Sequence, residues 1–220
     1  MTPRGAPDAS DFHVVVQTIP SREDSLEVTL KSLNDSDVEG YQVVSQRPSE
    51  SRLDNLRSSL LALQESGAPF GVRIEDDAIV SRYLIENLVL WPALGAEDFG
   101  GGWLFSSFLS SLQNCFVARG SCGENYRLSD STVGGVGVVL TRSQIRFCLD
   151  HLSDLWKSSG HAQDVTMSLG IARAEKRLYL HEPPLVEHNV RFRSTLAPDR
   201  EVDPGLHTTG GRFDAQWRRG

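Results

Sequence analysis

Few of the residues that staple or anchor small proteins occur in this 220-residue chain. It has three cysteines, Cys115, Cys122 and Cys148, an odd number without a CxxC pair, which argues against a disulfide framework and against a structural zinc site. Its apolar runs all fall well short of the roughly 18 residues of a membrane span, and residues 1–11 lack the apolar core of a signal peptide. We therefore expect a cytoplasmic protein without a membrane span.

Positive charge is also scarce. Lys and Arg number 22 against 29 Asp and Glu, for a formal net charge of -7, so a broad basic surface for nucleic acid is not expected. The motifs GxxxxGK[ST], GxSxG and HExxH are absent, and the GGVGVV stretch at 134–139 does not open a helix as a dinucleotide-binding turn does. What is present is an ordinary globular composition, 39% hydrophobic and 23% charged, in a chain long enough to bury a core.

The first third of the chain predicts alternating strands and helices. A β-branched run from Phe12 predicts a buried strand that stops at Pro20, and further strands are predicted at 41–45 and 70–75. A helix follows the Ser-x-x-acid signal at Ser21, and leucines three and four apart predict another over about 51–65. This β-α-β-α-β order indicates parallel strands in an α/β sheet.

Later elements are less regular. The predicted set comprises a helix at 83–90, strands at 103–109, 136–140 and 177–180, a helix capped by Thr141 and a helix from Ala162. We interpret residues 1–11 as a flexible leader, 12–194 as a single compact domain and 195–220 as a mobile C-terminal tail.

Three carboxylates follow the third predicted strand directly, at Glu75, Asp76 and Asp77. Ligands of α/β sheets bind beyond the carboxyl ends of the strands. Adjacent carboxylates repel one another unless a cation neutralises them, and a hard divalent ion that also holds a diphosphate would do so. The alternative is a polar turn that caps a helix at Ser81.

The order of four short motifs resembles the GT-A fold of nucleotide-sugar-dependent glycosyltransferases. The motifs are the opening strand with Thr18-Ile19-Pro20-Ser21-Arg22, the DxD-like Glu75-Asp76-Asp77, the Gly134-Gly135 strand that leads to Thr141-Arg142, and Asp164 followed by Pro184-Leu185-Val186-Glu187-His188. The resemblance spans about residues 14–194. It implies an α/β fold with a GT-A-like (Rossmann-like) mixed sheet flanked by helices.

The resemblance also implies a divalent cofactor, Mn²⁺ or Mg²⁺. Asp77 would ligate the metal, Glu75 and Asp76 would touch the ribose or the metal, and His188 would be a further metal or diphosphate ligand. The metal would offset charge on the departing nucleoside diphosphate. Alternatively, His188 is a surface histidine on a loop after Pro184.

Asp164 is the candidate general base, which would take the proton of the attacking acceptor hydroxyl. Because carboxylates are favoured at helix starts, Asp164 is equally well read as an N-terminal cap, and both roles are compatible in one residue.

Other residues are expected to bind the nucleotide sugar. Thr18, Pro20 and Arg22 would line the nucleoside pocket, or would form only a helix start with an early proline. Two further pairs each have a binding interpretation and a structural one. Gly134 and Gly135 would let the backbone approach the sugar closely, or would only form a turn. Arg191 and Arg193 would clamp the diphosphate, or would be ordinary surface arginines.

The function predicted from these residues is metal-dependent transfer of a sugar from a nucleoside-diphosphate sugar to an acceptor hydroxyl. The acceptor is open: a small molecule, a glycan, a protein or a modified nucleic acid base. A nucleotidyltransferase of similar fold is an alternative, although the first turn lacks the glycines such enzymes use, and a non-catalytic nucleotide- or sugar-binding module is another. Because the chain is short for this fold, the acceptor lobe is either small or completed in an oligomer.

Overall fold

A mixed β-sheet organises the structure, a computed structural model that describes residues 6–105, 126–129 (backbone only), 135–181 and 184–189. Its strands are β1 (Phe12–Thr18), β2 (Tyr41–Ser45), β3 (Phe70–Glu75), β5 (Phe99–Trp103), β6 (Tyr126–Ser129), β7 (Gly137–Thr141) and β8 (Arg177–His181), and a separate two-stranded ribbon contains β4 (Ala78–Val80) and β9 (Val186–His188). The seven strands of the sheet follow the order β2-β1-β3-β7-β5-β8-β6.

Five α-helices accompany the strands in the described ranges. They are α1 (Glu23–Asn34), α2 (Arg52–Glu65), α3 (Leu84–Leu90), α4 (Arg142–Ser158) and α5 (Gln163–Arg173). The Thr141 hydroxyl accepts from the Gln144 amide at the start of α4, as the sequence predicts. Ser51 caps α2 in a reciprocal pair with Asp54, which was not predicted from the sequence. Helix α1 differs, because a 3-10 turn at Pro20–Arg22 precedes it and no side chain caps it. None of the helices in these ranges is long and apolar enough to cross a membrane.

The sheet is buried on both faces. In β1, Val14 and Val16 pack into a core with residues of α1 and α3, whereas Val15 packs into a second core with residues of α2 and α4. A strand covered on both sides needs apolar residues at successive positions. That requirement explains the unbroken apolar run by which β1 was predicted.

Strand directions confirm the predicted fold class, a mixed α/β sheet flanked by helices. β1 runs parallel to β2 and β3, while β7 is antiparallel to both β3 and β5. Since β1 and β3 are parallel neighbours with Gln17 opposite Glu75, their carboxyl ends meet at one edge of the sheet.

One predicted strand was misplaced. We expected a strand at 103–109, but β5 is Phe99–Trp103, and 106–109 lie outside the described residues. Glycine has a low strand propensity, so the three glycines of β5 did not predict a strand. Packing explains why glycine occurs here, because a Cβ atom at Gly102 would lie 2.2 Å from Cη2 of the buried Trp91.

Most residues of the predicted leader and tail lie outside the described ranges. The tail at 195–220 lies beyond the described residues, and within the predicted leader residues Ala9–Asp11 form a 3-10 turn capped by Asp8. The boundaries of the domain therefore stay predictions.

Candidate functional site

The three strand-end carboxylates separate into three environments. Alternation along β3 sends Glu75 to the side of Arg73 and places Asp76 on the opposite side. Asp77 lies at the turn into β4. The acidic cluster that the sequence presents as one block is thus three differently partnered groups.

Asp76 is bound to the turn that follows β1. Its Oδ2 atom accepts hydrogen bonds from Thr18 Oγ1 at 2.7 Å and the Ile19 amide at 3.3 Å, and its Oδ1 atom lies 3.2 Å from Arg22 Nε. Burial raises the pKa of Asp76 to about 6, although the Thr18 hydroxyl and the Arg22 charge oppose that shift. Pro20 occupies the 3-10 turn beside these contacts, so Thr18 and Arg22 meet the acidic motif where the resemblance implies a nucleoside pocket.

Asp77 joins Arg22 to His188. Its Oδ2 atom lies 2.7 Å from Arg22 Nη2 and 3.0 Å from His188 Nε2. The β4–β9 ribbon explains this approach, because it pairs Ala78 with His188, and the Asn189 amide donates to the Asp77 carbonyl at 2.7 Å. His188 is therefore not a free surface histidine.

Charge pairing dominates the protonation of Asp77 and His188. Burial alone would raise the pKa of Asp77, but the hydrogen bond and charge of His188, together with Arg22, lower it below its ordinary value. Burial would lower the pKa of His188, but its hydrogen bond to Asp77 and the charges of Asp77 and Glu75 raise it. Both effects favour an ionised carboxylate at Asp77.

Glu75 lies near Asp164 across the backbone of Gly135. A Cβ atom at Gly135 would lie 3.3 Å from Asp164 Cβ and 3.4 Å from Glu75 Oε1, so the glycine lets these two side chains share the space beside β3. Burial raises the pKa of Glu75, the adjacent Arg73 lowers it in part, and the charges of Asp77 and Asp164 raise it further.

Asp164 is not the cap of its helix. The N-cap of α5 is Ala162, and Asp164 is the second helical residue, with its Oδ1 accepting from the next amide, Val165, at 2.9 Å. Asp164 therefore does not occupy the N-cap position, but its carboxylate accepts from a first-turn amide and gains from the helix dipole, so a local structural role stays open beside the catalytic one.

Sequence reasoning missed three residues beside this site: Arg73, Gln17 and Gln163. Arg73 is fully buried at 0% exposure and donates to Gln17, Glu75, Gln163 and the Gly135 carbonyl. An arginine inside an apolar strand is a signal that we passed over, because a buried charge requires partners.

Some expected binding residues are not placed. Gly134, Arg191 and Arg193 lie outside the described residues. Of the predicted set, the structure brings together Thr18, Arg22, Asp76, Asp77 and His188 as one group and Glu75, Gly135 and Asp164 as an adjoining one.

The donor atoms suit a cation that is only partly coordinated by protein. Over the ranges described here, no group of three or more His, Cys, Asp or Glu side chains could hold a metal ion, so a closed protein site is not formed. Asp77 Oδ1, however, is a buried carboxylate oxygen with no hydrogen-bond partner among the described residues. One or two carboxylates completed by substrate phosphates are usual for Mg²⁺, and the Asp77 carboxylate fits that arrangement.

The architecture is a mixed α/β sheet flanked by helices, and solved structures include similar ones. No protein-family model and no curated protein matches this chain. Similar structures include A197 from STIV (14% identity, 86% of this chain and 91% of that chain covered, TM-score 0.50), a mannose-1-phosphate geranyltransferase from Thermus thermophilus (10%, 78% and 73%, 0.46) and a glycosyltransferase involved in the glycosylation of the major capsid of PBCV-1 (8%, 68% and 68%, 0.38). At such identities the likeness concerns the fold alone.

Proposed function

We propose that this protein is a glycosyltransferase that moves a sugar from a nucleoside-diphosphate sugar to an acceptor hydroxyl with the help of a divalent cation. The supporting observation is the convergence of Asp77 and His188, which the β4–β9 pairing brings to 3.0 Å. They lie at the carboxyl edge of the sheet, where α/β folds bind ligands.

Asp77 and His188 would hold Mn²⁺ or Mg²⁺. When bound, such an ion stabilises negative charge on diphosphate oxygens. Arg22, already paired with Asp76 and Asp77, provides a second positive group for the same oxygens. Thr18 fixes Asp76, and Asp76 in turn holds Arg22 in the turn after β1.

Asp164, which lies beside Glu75 and Gly135, would act as the general base. Its carboxylate accepts the acceptor hydroxyl proton as the acceptor oxygen bonds to the anomeric carbon, and the bond from that carbon to the diphosphate oxygen breaks with its electron pair. The Gly135 backbone lies close to both side chains, since a Cβ atom there would be 3.3 Å from Asp164 Cβ and 3.4 Å from Glu75 Oε1, and a glycine permits this close approach.

A turnover assay tests this function. Purified protein is incubated with UDP- and GDP-sugars and Mn²⁺, and release of the nucleoside diphosphate is measured. We expect release that EDTA abolishes and that Asp77→Ala reduces at least about 100-fold, since even residues behind metal ligands are worth 10–100-fold. Asp98→Ala, which removes an aspartate paired with Arg177, is the matched control and should retain activity.

The same assay separates the alternatives. Pyrophosphate release from a nucleoside triphosphate and a sugar phosphate, without turnover of any nucleotide sugar, would indicate a nucleotidyltransferase. Full activity of Asp77→Ala would contradict the metal role of Asp77.

A further inference from the structure

Arg73 connects the segments that carry the two site carboxylates Glu75 and Asp164. Its Nε donates to Gln17 Oε1 at 2.6 Å and its Nη1 to the Gly135 carbonyl at 3.1 Å. Its Nη2 donates to Glu75 Oε1 at 3.0 Å and also to Gln163 Oε1. One guanidinium therefore joins four segments of the chain: strand β1, strand β3, the segment before β7 and the start of α5.

Stability alone does not account for an arginine here. Removing a guanidinium from water is costly, and a buried ion pair is often no better than a well-packed apolar group. Of the four acceptors described, only Glu75 is charged, and its side chain is 30% exposed. What an arginine does provide is a rigid planar fork of donors that fixes its acceptors relative to one another.

Two of the four acceptors fix the surroundings of Asp164. Gln163 is the first residue of α5 and directly precedes Asp164, and its Oε1 also accepts from Gln17 Nε2 at 3.1 Å. Gly135, whose carbonyl accepts from Arg73, is the residue where an added Cβ would meet Asp164 Cβ at 3.3 Å. Arg73 thus holds Asp164 from two directions without a described contact to it.

We propose that Arg73 is a positioning residue that acts through Gln163 and Gly135 to place the Asp164 carboxylate for proton acceptance. This role rests on the proposed function, in which Asp164 is the base. Gln163→Ala isolates this role from donor binding, because Thr18, Arg22, Asp77 and His188 form their own set of contacts and the bond from Arg73 to Glu75, a predicted donor-binding residue, stays in place. A displacement of about 1 Å at a reacting group can lower the rate about 100-fold.

A double-mutant cycle tests the positioning role. The kcat and donor KM of Arg73→Lys, Arg73→Met, Gln163→Ala, Asp164→Asn and Arg73→Met/Asp164→Asn are measured with a nucleotide sugar that the wild type turns over, with Mn²⁺. We expect Arg73→Lys and Gln163→Ala to lower kcat about 10- to 100-fold and to change donor KM by no more than about threefold. In the Asp164→Asn background, Arg73→Met should cause no further loss, because residues that act as a unit are not additive.

Two variants keep the test valid if Arg73→Met does not fold. Gln163→Ala leaves Arg73 with Gln17, Glu75 and the Gly135 carbonyl, and Arg73→Lys keeps the charge. The matched control is Gln144→Ala, which removes an amide from the first turn of α4 that bonds to Cys148 Sγ at 3.5 Å; it should keep wild-type kcat. Wild-type kcat in both Arg73→Lys and Gln163→Ala would overturn the positioning role.

Other outcomes separate this role from the proposed function. If Arg73→Met folds and lowers kcat equally with and without Asp164, its effect is general and the positioning role is wrong. If Asp164→Asn keeps wild-type kcat, or if no nucleotide sugar is turned over, the proposed function fails and the positioning role fails with it.

Discussion

The guanidinium of Arg22 bonds to both aspartates of the strand-end motif, with Nη2 2.7 Å from Asp77 Oδ2 and Nε 3.2 Å from Asp76 Oδ1. An internal cation therefore occupies part of the region where we propose a divalent ion. Asp77 Oδ1 has no hydrogen-bond partner in the part of the chain that the structure describes, so the two cations would either share Asp77 or compete for it. The resemblance alone implied only that Arg22 approaches the nucleoside or its phosphates.

Arg22→Met should bind Mn²⁺ more tightly than the wild type when no nucleotide is present. Removing the guanidinium leaves Asp76 and Asp77 buried with less positive charge, which favours a bound ion. We expect about a tenfold lower Kd, equivalent to about 1.4 kcal/mol, measured by the EPR signal of free Mn²⁺. A Kd that is unchanged or higher would mean that Arg22 does not compete with the ion.

The same variant should be less stable, and Mn²⁺ should restore part of the loss. Breaking a buried ion pair from one side costs about 3–5 kcal/mol, and a ligand that binds only the folded state raises stability by mass action. Urea unfolding with and without Mn²⁺ measures both effects. Lys31→Met, which removes an exposed ion pair with Asp35, is the control and should change little.

Asp164→Asn should lose activity while it keeps its fold. General base catalysis is worth about 100- to 10,000-fold in rate, whereas the favourable interaction of one first-turn carboxylate with the helix dipole is worth about 0.3–1 kcal/mol. We expect kcat to fall by at least about 100-fold with a melting temperature within a few degrees of the wild type. A large fall in stability with little change in kcat would instead indicate a structural carboxylate.

Gly102→Ala should destabilise the protein. The new Cβ would lie 2.2 Å and 2.4 Å from Cη2 and Cζ3 of Trp91, which is 2% exposed and has little room to move. Overpacking of this kind costs about 1–3 kcal/mol, measurable by urea unfolding. Gly40→Ala is the matched control, because nothing lies within 4 Å of its added Cβ; equal effects at both glycines would contradict the packing explanation.

Cys148 should make stability depend on pH above about 9. Burial raises the pKa of the Cys148 thiol from its ordinary 9.0 to about 11, against a smaller opposing effect of the Gln144 hydrogen bond. The unfolded thiol ionises first, so this stability is complete below pH 9 and is lost as pH rises towards 11, by about 2–3 kcal/mol in total. The free-energy difference between wild type and Cys148→Ala should shrink over that interval; a constant difference would contradict the shift.

Local sequence patterns predicted β1, β3 and the helices that carry the site. They did not predict the β4–β9 ribbon, because it forms by pairing between segments that are distant along the chain. β3 was predicted at its observed bounds, because Phe70–Glu75 is apolar except for Arg73 and the terminal Glu75 and is bounded by Pro69 and two aspartates. β4 and β9 are three residues each, too short for a periodicity argument. His188 was therefore placed near Asp77 only through the resemblance.

The network of Arg73 was beyond sequence reasoning for the same reason. Its partners Gln17 and Gln163 are 56 and 90 residues away along the chain, and no local spacing relates them. The start of the helix that carries Asp164 was within reach of local patterns: the helix was predicted from Ala162, and α5 begins at Gln163.

The two side chains that bond to Asp77 become available at very different times during synthesis. His188 follows Asp77 by 111 residues, so a chain leaving the ribosome exposes the strand-end aspartates long before the histidine is made. Arg22 is translated 55 residues before Asp77 and is available from the start as its counterion. In the folded protein both partners bond to the same Asp77 oxygen, so the arginine keeps its place when His188 is added.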